Sequence, residues 1–544
     1  MLIIDENWKT RQSMMENSIK QILPVLLFLF LIPGKGTSLL FSQYNQGTPL
    51  SIPVYNVRDF GAVGDKKTLD TRAFQDAIKT AEEAGGGTVF VPPGDYYLGT
   101  IELQDNITFY LENGCTLWGS TNLDDYQQNK HLIFARNAKN IVICGQGAIH
   151  GNGPAFWDNG RLEKWYRGEI DLPRTSDMLR FDSCSNVVLE DIDVLYGAFW
   201  NIGFGHCNRI TIRAITMRNG VYENDGPNTD GINLWNCQKV QISDCDIITG
   251  DDCLVVLGDS KDITINNCKL QTSETALMIS GVRNLTFSNS TIHDSGCGIG
   301  FRTWSGIVVD GVAINNIVIS TTDKFKGGGT AIYMWSFPLY VETAIPDTVT
   351  LPPPADVRNI SISHVIARAN GLLTVIGDRN GYIKGLTLDN LKLIMHGGKI
   401  SEYNEAPPYP YPIYGFHNAS PYGMFFRHVE DLKVRDVEVV WSSPEKADWG
   451  SALRCQDVIN LEIEGFQGRQ SKGSNFPSIG LRNVDGAFIH NCLAPAGTTA
   501  FIGIDEKSNN VSIMNNDLSH AQSIFIPGNN FSKIKVFESC NRVK

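Results

Sequence analysis

From residue 186 onward the chain repeats one short pattern of polar and apolar positions. A turn-forming residue precedes an apolar-x-apolar triplet, and Asn, Asp, Ser or Arg follows before a second short run. The pattern reads Asn186-Val-Val-Leu-Glu-Asp, Arg209-Ile-Thr-Ile-Arg, Lys239-Val-Gln-Ile-Ser-Asp, Asp262-Ile-Thr-Ile-Asn-Asn, Asn284-Leu-Thr-Phe-Ser-Asn and Gly311-Val-Ala-Ile-Asn-Asn. Its first apolar positions are 187, 210, 240, 263, 285 and 312, which are steps of 23, 30, 23, 22 and 27. Alternation of this kind is a strand with one face on a core. Self-similarity at this period is a stacked solenoid. The units hold short strands and no helical segment, and a leucine-rich signature is absent, so the expected fold is all-β: a parallel β-helix. The pattern returns at Asn359, Gly385, Asp431 and Asn510, and gaps of 48 (312 to 360) and 46 (386 to 432) mark loops. Glu405–His417 is too proline-dense for a strand and reads as a rim loop.

The two ends of the pattern differ from its middle. Phe74, Ala77, Ile78 and Ala81 recur at helical spacing, with Thr68 or Asp70 as N-cap and Gly85-Gly86-Gly87 as the stop. A helix over 70–84 opening a β-rich chain is expected to cap the exposed end of the core. Thr88-Val-Phe-Val91 follows as a strand. Earlier, Ile22–Ile32 is an apolar run after Lys20, too short to span a bilayer and suited to a secretory signal. Residues 1–40 are therefore read as a leader, with Met14 or Met15 as a candidate start, and 54–544 as one β-helix domain. The protein is expected to be secreted or periplasmic, without a membrane span.

The chemistry lies in Gly226–Val256. Asp230, Asp252, Thr275 and Cys297 hold the same place in successive units, at separations of 22, 23 and 22. Neighbouring coils lie about 4.8 Å apart, so Asp230 and Asp252 are expected to stack, with Asp251 beside them. Three crowded carboxylates repel, and at least one should have a raised pKa. A protonated acid beside ionised bases is what glycosidic cleavage needs. Two blander readings compete: aspartates capping turn amides, and a calcium site.

Asn228-Thr229-Asp230 and Gly250-Asp251-Asp252-Cys253 resemble the motifs of the polygalacturonase family, glycoside hydrolase family 28, in the pectate-lyase-like β-helix superfamily. The resemblance covers roughly 54–340 and implies a right-handed helix with an N-terminal cap. It also implies Asp251 as general acid and Asp230 and Asp252 as activators of the attacking water, with inversion at the anomeric carbon. Room for that water corresponds to carboxyl separations of roughly 6.5–9.5 Å. Asn228 falls inside the first motif and is expected at the substrate. Two departures stand out. Thr275 sits where the family has a histidine, and Gly300 to Arg302 stands where it has an Arg-x-Lys pair, leaving Arg302 as the cation. The resemblance therefore points away from plain homogalacturonan and toward a branched, rhamnogalacturonan-type polymer. Arg302 remains able to hold a carboxylate in a bidentate pair. Trp304 is the favoured sugar-stacking ring, ahead of Trp235 and Trp335, and Glu274 is a candidate polar contact beside the vacant histidine position.

Composition adjusts this picture only slightly. A net charge of -12 with no basic tract argues against a nucleic-acid partner. The 12 cysteines include no CxxC pair, so they read mostly as small core residues with disulfides possible, and no metal or cofactor is expected. The expectation is a monomeric inverting hydrolase of an acidic pectic or algal polysaccharide. A lyase or epimerase on the same scaffold, or a non-catalytic carbohydrate-binding β-helix, would share most of these features.

Overall fold

Apolar residues two apart line up from coil to coil. Val240 and Ile242 pair with Ile263 and Ile265, which pair in turn with Leu285 and Phe287, all buried. A second row runs Ile247, Leu270, Ile292 and a third Ile232, Leu254, Leu277, Ile299, Ile332. Each coil thus gives one strand to each of three sheets, and the three inner faces enclose one continuous apolar core. The chain is a right-handed parallel β-helix, the hand that parallel crossovers take. The computed structural model describes residues 53–157, 161, 164, 168–220, 226–322, 324–325, 329–337, 352–369, 373–396, 422–442, 449–526 and 535–543. The expected leader and the proline-rich stretch 405–417 lie outside these.

The corners explain the Asn and Asp of the repeat. Asp244, Asn267, Asn289 and Asn316 all turn the chain with φ between 52° and 58°, a left-handed conformation that Asn and Asp tolerate best after glycine. Their side chains also bond along the stack: Asn267 Nδ2 donates to Asp244 Oδ1 at 2.6 Å, and Asn316 Nδ2 to Asn289 Oδ1 at 2.7 Å. The cysteines lie under such corners and on the inner faces. All 12 are free thiols, ten of them buried, Cys144 half-buried and Cys540 exposed.

One α-helix, Thr71–Glu83, covers the first coil, burying Phe74, Ala77, Ile78 and Ala81. The Phe74 ring meets Tyr96 edge-on at 5.2 Å and Phe109 at 6.1 Å. Asp70 stands at the N-cap position but does not cap with its side chain. Its carboxylate instead accepts from the amides of Val63 and Gly64, at 2.7 and 2.9 Å, tying the preceding loop to the helix start.

Turn length places the site. The connections from second to third sheet run 120–132, 151–178, 196–201 and 219–231 in the early coils and shorten to 250–253 and 273–274. The same corner therefore steps from longer to shorter connections. The aspartates lie on that step.

Candidate active site

Asp230 and Asp252 each precede a third-sheet strand, and pairing of Ile232 with Leu254 sets them one above the other. Each is 7% exposed, whereas Asp251, next in the chain to Asp252, is half-buried. Small residues make so tight a corner possible. A Cβ on Gly250 would lie 2.4 Å from the Gly226 carbonyl oxygen, and one on Gly231 2.3 Å from that of Cys253. Hydroxyls then fix the backbone. Thr249 and Thr272 both donate to the Asp251 carbonyl at 2.5 Å, and Ser273 donates to that of Gly250 at 2.5 Å. Thr229 Oγ1 donates to the Gly226 carbonyl at 2.6 Å and accepts from the Gly250 amide at 3.1 Å.

The carboxylates have specific donors. The Thr275 amide donates to Asp252 Oδ1 at 2.9 Å. The Asp252 amide donates to Asp251 Oδ1 at 3.0 Å, and Asn228 Nδ2 reaches Asp251 Oδ2 at 3.4 Å. Burial is the largest influence on the ionisation of the stacked pair. It lifts Asp230 well above the usual carboxylate range, with the charges of Asp251 and Asp252 adding to it. It lifts Asp252 to about 7, with Asp251 and Glu274 adding and Arg302 opposing. The cluster therefore holds a proton near neutral pH, as crowding on one face requires.

The sheet continues this face toward later coils. Thr275 pairs with Cys297, which pairs with Thr330. The Thr275 hydroxyl meets the Tyr333 hydroxyl at 3.0 Å, and Arg302 Nη2 donates to the same phenol at 3.2 Å. Gly300 makes room for that ring, since a Cβ there would lie 2.2 Å from its Cζ. Tyr333 thus fills the space at a position where the resemblance calls for an arginine. Glu274 is half-buried and near enough to raise Asp252. Trp304 is placed differently: it follows the strand Cys297–Thr303, seven residues beyond the position in register with Thr275. At about 3.3 Å per residue that is roughly 23 Å of strand beyond that register position. Trp335 is buried and Trp235 is exposed.

Sequence reasoning passed over Arg174, Asn201 and Tyr333. Asn201 donates its backbone amide and its Nδ2 to the Asp230 carbonyl, at 2.9 and 2.7 Å. Arg174 donates Nη1 to the carbonyls of Pro227 (2.6 Å) and Ala198 (3.2 Å), and Nη2 to Asn228 Oδ1 (2.8 Å). These partners lie 24 to 58 residues apart in the chain, beyond any local pattern.

Residues 83–326 match the family model described as glycosyl hydrolases family 28. A Vitis vinifera protein named "Probable polygalacturonase" is 29% identical over 213 residues, 35% of this chain and 42% of that relative. An Arabidopsis thaliana polygalacturonase is 30% identical over 214 residues, 37% of this chain and 47% of the relative. The chain spans about half the length of the curated relatives it matches. The solved family 28 exopolygalacturonase of Yersinia enterocolitica shares the fold, with a TM-score of 0.54 at 19% identity over 76% of this chain and 78% of that one. Both aspartate motifs fall inside the matched stretch, and over residues 83–326 the chain is similar to glycoside hydrolase family 28.

Proposed function

We propose that the protein is an exported hydrolase of a pectic polysaccharide, cleaving by single displacement with inversion. The observation that carries this is the register of Asp230 with Asp252, buried together and holding a proton with Asp251 at their edge. Asp251 is the most accessible of the three, so a leaving oxygen can reach it. In the reacting ionisation state the cluster's proton sits on Asp251 and leaves Asp230 and Asp252 ionised, and Asp251 gives it to that oxygen as the C1–O bond breaks. A water on the other face attacks C1 and gives its proton to the Asp230–Asp252 pair, so proton and electron pair balance within one displacement. Export is inferred from the apolar run Ile22–Ile32, and N-terminal sequencing of the secreted product tests it.

Substrate choice follows from what surrounds the trio. Arg302 is the cation held beside it by Tyr333, while Thr275 and Gly300 stand where pectin-cleaving relatives are expected to carry histidine and arginine. Arg302 in place of an Arg-x-Lys pair favours a polymer whose uronates alternate with neutral or branched sugars. A reducing-end assay over unbranched polygalacturonate, rhamnogalacturonan and branched pectins is the test. Preference for the branched or alternating polymers is expected. Efficient digestion of unbranched polygalacturonate would overturn the specificity, and ultraviolet-absorbing unsaturated products would replace hydrolysis with elimination.

A further inference from the structure

We infer that Arg174 is a positioning residue of this site, a guanidinium carried in by the 151–178 turn that fixes Asn228 and, through it, the Asp251 carboxylate. The inference rests on the reading of Asp251 as the group that protonates the leaving oxygen.

The turn is built to hold a side chain still. Phe156, Trp157 and Leu172 bury themselves with Ala198, and Leu123 packs against them, as a small apolar cluster separate from the main core. Arg174 emerges two residues after Leu172. Its guanidinium packs over Phe199 at 4.7 Å, which fixes its plane. The fork then spans two coils, with Ala198 on one and Pro227 and Asn228 on the next. A planar group with several N–H donors satisfies three acceptors at once, whereas an ammonium presents a point charge on a flexible stem.

The consequence falls on the amide of Asn228. An asparagine amide has one accepting end and one donating end. With Arg174 on Oδ1, Nδ2 is turned toward Asp251 Oδ2. Asn228 itself sits at φ 54°, a left-handed corner. Without Arg174 the amide is free to rotate, and Asp251 loses a directed donor on its accessible side. A misplaced proton donor lowers the rate of bond breaking more than it weakens binding. Among the described residues, the charged groups that act on Asp230 and Asp252 include Asp251, Glu274 and Arg302. None of them orients the Asn228 amide in the way the Arg174 contact does.

The test uses the full chain as Arg174→Ala, Arg174→Lys, Asn228→Ala and the Arg174→Ala/Asn228→Ala pair. Rates are read on whichever pectic polymer the wild type cleaves, and the aspartate carboxyls are titrated by carbon-13 NMR. Arg174→Ala should lower kcat by roughly 10- to 100-fold with little change in KM. Lysine should restore little, and millimolar guanidinium should restore part of kcat in the alanine variant alone. In the Asn228→Ala background the Arg174 substitution should change kcat by less than about 2-fold, because the two act as one unit. Multiplying losses in the double variant, or a loss carried by KM, would overturn the inference. Should Arg174→Ala not fold, Arg174→Lys in the two backgrounds gives the same comparison. Should the wild type cleave no pectic polymer, the hydrolase reading fails. The titration then decides alone: removing the Arg174 charge should move the aspartate cluster upward, and an unmoved titration sinks the inference.

Discussion

The coils around residues 226–303 and the coils around 384–490 stack acidic side chains on the same solenoid with opposite results. In the later coils several acids meet a cation in register. Lys384 pairs with Glu430 and Lys392 with Glu438, with N···O separations of 2.9 and 2.7 Å, and Arg435 sits opposite Glu464. Arg435 also reaches Glu462 at 2.7 Å and Glu464 at 3.7 Å. Partial burial pushes Glu462 up, but the hydrogen bond and charge of Arg435 outweigh it and hold the carboxyl below its usual range. A shallow groove of about 650 Å³ runs over this face, lined by Lys433, Glu462 and Phe488. At the aspartate corner of the earlier coils Asp230 stacks on Asp252, acid on acid, and both rise instead. A β-helix thus brings side chains together at one fixed spacing. Whether the result is an inert ion-pair face or a proton-holding cluster depends on the sign of the next coil's charge.

The largest expected effect follows from removing the accessible member of the cluster. Asp251→Asn keeps shape and hydrogen-bonding reach but cannot supply a proton, so hydrolysis of the natural polymer should fall by about 10²- to 10⁴-fold. The backbone contacts to the Asp251 carbonyl are untouched, so the variant should fold. An activated aryl glycoside of the same sugar needs no leaving-group proton and should lose far less. Equal losses on both substrates would move the acid role to Asp230 or Asp252.

Next in size is a gain of stability bought with function at Asp252. Its folded pKa, about 7, lies above the ordinary carboxylate value of about 3.9. Below pH 4 both folded and unfolded states hold the proton and the group is neutral to stability. Between about 4 and 7 the unfolded state ionises first, so stability falls as pH rises, and above about 7 the full penalty is present. Asp252→Asn cannot ionise. It should therefore be more stable than wild type at pH 8, by on the order of 2–4 kcal/mol, and no more stable at pH 4. Urea midpoints at the two pH values check it. Activity should be lost at both, since the pair that accepts the proton of water is broken.

Legibility in the sequence tracks the same contrast. The stacking of Asp230, Asp252, Thr275 and Cys297 was readable because the coils there keep a near-constant length, so counting residues amounts to counting register. The helix Thr71–Glu83 was readable from the spacing of Phe74, Ala77, Ile78 and Ala81. Arg174 was not, because it arrives on a turn that belongs to no repeat and meets partners on the two following coils. Tyr333 bonds Thr275 from 58 residues away, through the space that Gly300 leaves open. Asp70 shows the local limit: an acid before a helix suggests a cap, but the loop at Val63 and Gly64 offers two amides at once and takes the carboxylate.

The smallest effect is the one that sharpens the contrast most. Glu462→Gln removes an acid with Lys433 as one register neighbour and Arg435 as its ion-pair partner, from a face where Arg435 also serves Glu464. Both partners are partly exposed, so screening limits what the pair contributes, and the loss should be roughly 0.3–1 kcal/mol. Its pH dependence runs opposite to that of Asp252. The folded pKa is lowered, so the stabilisation is present above the unfolded value and disappears as pH falls through the folded one. Wild type and variant should therefore differ at pH 8 and converge in acid, and salt should shrink the difference. Activity should stay within about 2-fold, because Glu462 lies on the first sheet, away from the aspartate corner. A Glu462→Gln variant more stable than wild type at pH 8 would mean that the charge of the next coil is not what separates the two faces.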